Sequence, residues 1–154
     1  MQVDHLTPDD ADFAGHAIRK LKGLDIDPPQ DVEHMRRLLE NEANLLVVAR
    51  DGHEPVGFAL AYVMDRIDRD EIMLCLYEIS VAPSHQRRGV GSALVEHLKV
   101  WCAQHQVMKM WVLTDRANIA AIRLYSASGA EEGGAGAEVS FVWNRQTLAT
   151  HREG

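Results

Sequence analysis

The stretch "VAPSHQRRGVGSAL", Val81 to Leu94, sets two arginines and two glycines where an amphipathic helix is about to begin. Inside a helix each glycine costs on the order of 1 kcal/mol relative to alanine, so Gly89 and Gly91 within one turn need a reason. Pro83 and Ser84 mark a turn. Beyond them Val90, Ala93, Leu94, His97, Leu98, Trp101 and Cys102 recur at three- and four-residue spacing, which predicts a helix running to about His105. The first N–H groups of such a helix have no intrahelical partner, and its dipole adds partial positive charge, so Gln86 to Ser92 can form an anion site. Side chains at Gly89 or Gly91 would hold the anion away, while Arg87 and Arg88 add donors for phosphate oxygens. A glycine-rich loop with a solvated basic pair fits the same residues, and spacing alone leaves both readings open. A Walker phosphate loop is excluded because no Gly-Lys-Ser/Thr follows. A dinucleotide fingerprint fits poorly, since its third glycine would fall on Leu94.

Upstream, "IMLCLYEISV" (72–81) is apolar on both faces, which implies a buried strand at the centre of a sheet. Before it, "NLLVVAR" and "VGFALAYVM" flank the turn "DGHEP" as a hairpin, and the charged loop "DRIDRDE" follows. The chain opens with a short strand and a helix capped by Thr7 with Pro8 at its first position. "GLDIDPPQ" is a break in which Pro28 and Pro29 exclude helix, and a second helix is expected from about Asp31 to Glu42. Downstream come a strand "KMWVLTD", a helix "ANIAAIRLYSAS" stopped by Gly129, a glycine-rich link "EEGGAGA" and a peripheral strand "EVSFVW". The polar tail, about 144–154, is expected to fray. Helices scattered among strands predict a mixed α/β sheet with helices on its faces, and nothing marks a second domain within residues 1–154.

The 154 residues suffice for one sizeable core, and 46% hydrophobic with 25% charged residues is ordinary for a soluble globular chain. A net charge of −7 argues against nucleic acid and suits cationic small molecules. Cys75 and Cys102 sit in apolar runs and read as buried thiols in a reducing compartment. No signal peptide or membrane-length apolar run is present, so a cytoplasmic protein is expected. The histidines and cysteines show no metal-ligand spacing, and no metal is expected.

"VAPSHQRRGVGSALVEHL" resembles the pyrophosphate-binding motif of the GCN5-related N-acetyltransferases, Gln/Arg-x-x-Gly-x-Gly/Ala after an apolar strand. "NIAAIRLYSASGA" is similar to that family's second signature, with Asn118, Leu124 and Tyr125 before Gly129. The resemblance implies a mixed sheet of about six to seven strands with about four helices, and acetyl-CoA as donor. It implies that the pyrophosphate lies on the amides from Gln86 through Arg87, Arg88, Gly89, Val90 and Gly91 to Ser92. The pantetheine arm would pair with main-chain groups of Ile79 and Val81, between that strand and the one ending near Asp115. An N–H near Ile79 would receive the oxyanion.

Acetyl transfer needs a neutral amine, so a carboxylate must take the acceptor's proton, directly or through water. Glu78, in a run otherwise without charge, is the candidate base, and burial there would raise its pKa. The alternative is a buried structural carboxylate, hydrogen-bonded across a strand gap. Tyr125 is the candidate acid for the departing thiolate, or a core tyrosine with its hydroxyl at the surface. Asn118 and Tyr125, seven residues apart, share a helix face, which would present an amide to the cofactor arm and a phenol to the sulfur. Asp115 is either a turn or cap residue or a contact for the acceptor amine.

Asp25, Asp27, Asp31, Asp65, Asp68, Asp70, Glu71, Asp115 and Glu138 could form an acidic rim for a cationic amine. "GFALAYVMDRIDRDEIMLCLYEISVAPSHQRRGVGSALVEHLK" resembles the small aminoglycoside 3-N-acetyltransferases in "AYV", Arg66, the "EI" restart and the Tyr77-Glu78 pair, though those carry aspartate where Glu78 stands. "LTD" and "LY" continue the likeness through Asp115 and Tyr125, which implies an aminoglycoside acceptor and resistance to such drugs. A polyamine, an amino-acid derivative or a protein amine is the alternative acceptor, and a CoA-binding sensor without turnover is the alternative of another class. Relatives often form dimers through their last strands, so a homodimer is an expectation here too.

Overall fold

The computed structural model describes residues 1–24 and 28–150. Seven strands form one mixed sheet in the order β1-β2-β3-β4-β5-β7-β6. They are β1 Gln2–His5, β2 Asn44–Asp51, β3 Glu54–Asp65, β4 Ile72–Val81, β5 Lys109–Asp115, β6 Glu131–Gly133 and β7 Glu138–Asn144. The helices are α1 Ala11–Lys22, α2 Pro28–Glu40, α3 Val90–Gln104, α4 Ile119–Ala127 and the short α5 Arg145–Ala149. β4 and β5 run parallel, while β1–β2, β5–β7 and β6–β7 are antiparallel. The mixed α/β architecture is the one expected. A seventh strand lies in the glycine-rich link, where Glu131–Gly133 pairs with Ser140–Val142 of β7.

Backbone packing divides the chain into two compact units, one of Met1–Ala61 with Glu78–Leu94 and one of Tyr62–Tyr77 with the chain from Val95 on. In the first, Leu46 and Val48 of β2 and Phe58 of β3 pack with Ala11, Ala14, Ala17, Met35 and Leu39 of α1 and α2. These positions alternate along the strand and recur at helical spacing, so each element turns one apolar face into the same core. Thr7 does precede a helical turn with Pro8 first, but that turn is a 3₁₀ segment, Pro8–Asp10, and α1 begins only at Ala11. The Asp10 carboxylate accepts from the Thr7 N–H at 2.7 Å and its hydroxyl at 2.9 Å, which fixes the tight turn.

Pro28 and Pro29 do not exclude helix; they open α2. A proline in the first helical turn forfeits only an N–H that has no partner there, and its fixed φ already suits the helix. Asp25 and Asp27 lie outside the described residues. Asp31 is 4% exposed and paired with Arg19 of α1, so it belongs to the α1–α2 contact and not to an acceptor-facing rim.

In the second unit β5 and β7 pair over seven residues, from Lys109 opposite Asn144 to Asp115 opposite Glu138. Met110, Val112, Val139, Phe141 and Trp143 are buried. α4 ends at Gly129 as expected: with φ 87 it carries the Gly129 N–H to Ser126 O and the Ala130 N–H to Tyr125 O, both at 3.1 Å. Residues 145–149, expected to fray, form α5. Leu148 is buried there, and the Asn144 side chain caps the helix by accepting from the Thr147 N–H. The remainder of that tail, 151–154, lies outside the described residues. The central strand β4 is less buried than its sequence implies. Leu74, Cys75 and Leu76 are covered, whereas Tyr77 is 66% exposed and its ring meets Tyr62 edge-on at 5.3 Å.

Candidate functional site

The loop before α3 is the candidate anion site. A 3₁₀ turn over Pro83–His85 leads to Gln86 in extended conformation, then Arg87 at φ 59 and Gly89 at φ 83, and α3 begins at Val90. Backbone N–H groups in such irregular turns are candidates for holding an anion, and here two positive-φ residues stand directly before a helix start. The first helical hydrogen bond runs from the Ala93 N–H to Gly89 O at 2.9 Å. By helix geometry the N–H groups of Gly89, Val90, Gly91 and Ser92 are then left without intrahelical acceptors. A Cβ on Gly89 would have nothing within 4 Å, so open space faces this backbone. Arg87 and Arg88 are exposed, and neither has an ion-pair partner among the described residues.

The left-handed Arg87 is a feature the sequence reading missed. A non-glycine residue held there costs roughly 1–2 kcal/mol, and such strain concentrates at functional sites. Gly57 was missed too. A Cβ on it would lie 2.9 Å from Val90 Cγ1, 3.0 Å from Ser80 O and 3.3 Å from Leu94 Cδ1, so the bare backbone of β3 is what lets the start of α3 seat beside β4. An isolated glycine within a strand pattern is the sequence signal for such an approach. The loop is tied down by the Ala82 N–H donating to Val56 O at 2.8 Å and by Gln86 Nε2 donating to Val81 O at 3.3 Å.

Ile79 and Val81 are half-buried at the end of β4. The β4–β5 ladder covers only Met73–Cys75 opposite Lys109–Trp111, so the main chain of Ile79 and Val81 is outside it. Glu78 does not have the burial expected. Its side chain is 34% exposed, and Oε1 accepts from Lys22 Nζ at 2.6 Å. The carboxylate is engaged in a partly exposed pair with Lys22 instead of being enclosed among apolar side chains. Partly exposed pairs of this kind contribute about 0.2–1 kcal/mol, so Lys22 is easily lifted from the carboxylate.

The second unit holds Asp115, Asn118 and Tyr125. Asp115 Oδ1 accepts from the Ala117 N–H at 2.7 Å, and Asn118 Oδ1 accepts from the Ala121 N–H at 3.1 Å to cap α4. Asp115 is thus an exposed turn residue, and the Asn118 side-chain oxygen is committed to the cap. Tyr125 is 2% exposed, with its ring 5.4 Å from Phe141 and 5.7 Å from Trp143. Burial pushes its phenol up to about 12, so it keeps its proton at neutral pH. Of the remaining acidic positions, Asp68 is engaged by Arg66 and Glu71 by Arg145, whereas Glu138 is exposed opposite Asp115. The Arg66 guanidinium holds the Asp68 carboxyl below its ordinary range.

Helix-start N–H groups, open space over Gly89 and two exposed arginines with no ion-pair partner among the described residues make the loop before α3 a candidate anion site. Residues 15–130 match the model of the acetyltransferase (GNAT) family, and the chain belongs to that family. Acetyltransferases of this family use acetyl-CoA. An aminoglycoside acetyltransferase from an uncultured soil metagenomic sample is 26% identical, with a TM-score of 0.73 over 88% of this chain and 94% of its own. Another from such a sample, crystallised with trehalose, shares the fold at 21% identity, with a TM-score of 0.74 over 88% and 92%. In sequence, 76 residues, 49% of this chain, are 36% identical to the [ribosomal protein bS18]-alanine N-acetyltransferase of Escherichia coli (strain K12). The chain spans about half the length of the curated relatives it matches. Among the described residues no helix is long and apolar enough to cross a membrane.

Proposed function

We propose that this chain is an acetyl-CoA-dependent N-acetyltransferase whose acceptor is an aminoglycoside, acetylated at a 3-amino group of the deoxystreptamine ring. The observation that carries the donor is the pair of positive-φ residues, Arg87 and Gly89, directly before α3, with exposed arginines that have no ion-pair partner among the described residues. In this reading the amides of Gly89 to Ser92 hold the pyrophosphate, and Asn118 with the main chain of Ile79 and Val81 orients the pantetheine arm. The Ile79 N–H stabilises the oxyanion, and Glu78 takes the acceptor's proton, directly or through water. Tyr125, protonated at working pH, donates to the departing sulfur. Asp115, an exposed carboxylate, offers an oxygen to a second ammonium of the acceptor. Support for the acceptor comes from the 26% identical aminoglycoside enzyme and from the net charge of −7, which favours a polycation. The reaction belongs to the cytoplasm in this reading, and a homodimer is read out by light scattering on the same preparation.

A second reading is supported by the 36% identity to an enzyme acting on a ribosomal protein's alanine: the acceptor is a protein N-terminus. Thiol release from acetyl-CoA, followed with gentamicin, sisomicin, fortimicin, spermidine and an alanine-started peptide, separates the two. The proposal expects release with at least one aminoglycoside and a steep loss of turnover in Glu78→Gln with acetyl-CoA affinity retained. Release with the peptide alone moves the acceptor to protein amines. Binding of acetyl-CoA with no release on any amine refutes the enzyme reading in favour of a CoA-binding domain.

A further inference from the structure

Lys22 is the last residue of α1, and its place is set by how that helix stops. Gly23 adopts the left-handed conformation at φ 63, and the N–H groups of Gly23 and Leu24 both return to Arg19 O. From there the Lys22 side chain reaches Glu78, donating from Nζ to Oε1 at 2.6 Å. Lys20, two residues earlier, is committed to Glu54 instead. Lys22 and Glu78 side chains are 37% and 34% exposed, so the pair is open to solvent.

An ammonium donating to the carboxylate that is to remove its proton is the first contact N-acetylation requires. Resting on Glu78 as the base, we propose that Lys22 is itself an acetyl acceptor, modified within its own chain from bound acetyl-CoA. Lys22 passes one proton to Glu78, and the freed lone pair on Nζ attacks the thioester carbonyl carbon. An N–C bond forms and the C–S bond breaks, its electron pair leaving on sulfur. The second proton lost from nitrogen neutralises the thiolate, and the proton on Glu78 goes to solvent. The products are an Nζ-acetyl amide, free CoA thiol and one released proton. The amide carries no charge, so the ion pair is lost and Glu78 is left open to a cationic acceptor.

The test uses the full chain with isotopically labelled acetyl-CoA and no added amine, followed by peptide mapping with a protease that does not cut at lysine. Lys20, on the same helix, reports the background of uncatalysed acetylation. The expected result is labelling of Lys22 on the order of 10²-fold faster than Lys20, the range of general-base catalysis, with a first-order rate independent of protein concentration. In Glu78→Gln, checked for acetyl-CoA affinity by calorimetry, the Lys22 rate falls to that of Lys20. Equal rates at the two lysines, an unchanged Lys22 rate in Glu78→Gln, or a rate that rises with protein concentration would each overturn the inference. If Lys22 stays unlabelled while added amines are acetylated in a Glu78-dependent way, the inference fails and the proposed function stands. If neither reaction occurs, both fail.

Discussion

Gly57→Ala tests whether the phosphate cradle depends on how α3 is seated. The added Cβ would stand 2.9 Å from Val90 Cγ1, 3.0 Å from Ser80 O and 3.3 Å from Leu94 Cδ1. Val90 and Leu94 are 2% and 0% exposed, and the Ser80 carbonyl is strand backbone, so none of the three can swing away as a surface side chain would. Relief must come from lifting the start of α3. Overpacking of this kind costs about 1–3 kcal/mol, and a chain of this size loses about 2–4 °C per kcal/mol, so melting should fall by about 2–12 °C. The same lift displaces the N–H groups of Gly89 to Ser92, and a loss of about 1.4 kcal/mol of their contact with pyrophosphate weakens CoA binding about tenfold. Melting curves and calorimetry with CoA read the two effects. Gly52→Ala is the control: at φ 60 with nothing within 4 Å, it strains the β2–β3 turn without touching α3. It should lower stability and leave CoA affinity alone. Wild-type affinity in Gly57→Ala, whatever its melting temperature, refutes the coupling between strand glycine and cradle.

Gly89→Val puts a β-branched residue at φ 83 and its side chain into the open space above the loop, so CoA affinity should fall by more than tenfold in calorimetry. Tyr125→Phe should slow thiolate departure by about 10²-fold if the phenol acts as general acid, and a near-normal rate in single-turnover thiol release would assign that proton to water. Burial raises the Tyr125 phenol from 10.0 and the Cys102 thiol from 9.0, both to about 12. The unfolded chain therefore loses these protons first as pH rises. Their stabilisation is complete below about pH 9 and is lost progressively toward pH 12, with Tyr125→Phe flattening the upper part of that decline in urea melts.

The sequence by itself determined the parts that rest on local backbone chemistry. Two glycines and two arginines before an apolar stripe, a turn at Pro83 and a glycine stop at Gly129 are short-range signals. The turn at Pro83, the helix starting at Val90 and the end of α4 are where those signals put them. The apolar run 72–81 and its centre in the sheet were legible for the same reason. Sequence did not carry what depends on partners distant along the chain. Glu78 stood in an apolar run and read as buried, but burial depends on what packs over the strand, and the folded chain leaves its carboxylate partly exposed beside Lys22. Asp31 read as a surface acid, and only the packing of α1 against α2 made it the buried partner of Arg19. Gly57 looked like one more small residue in a strand until α3 came to lie against it. No sequence pattern placed Lys22 on Glu78, because 56 residues separate them and the contact exists only once α1 has docked.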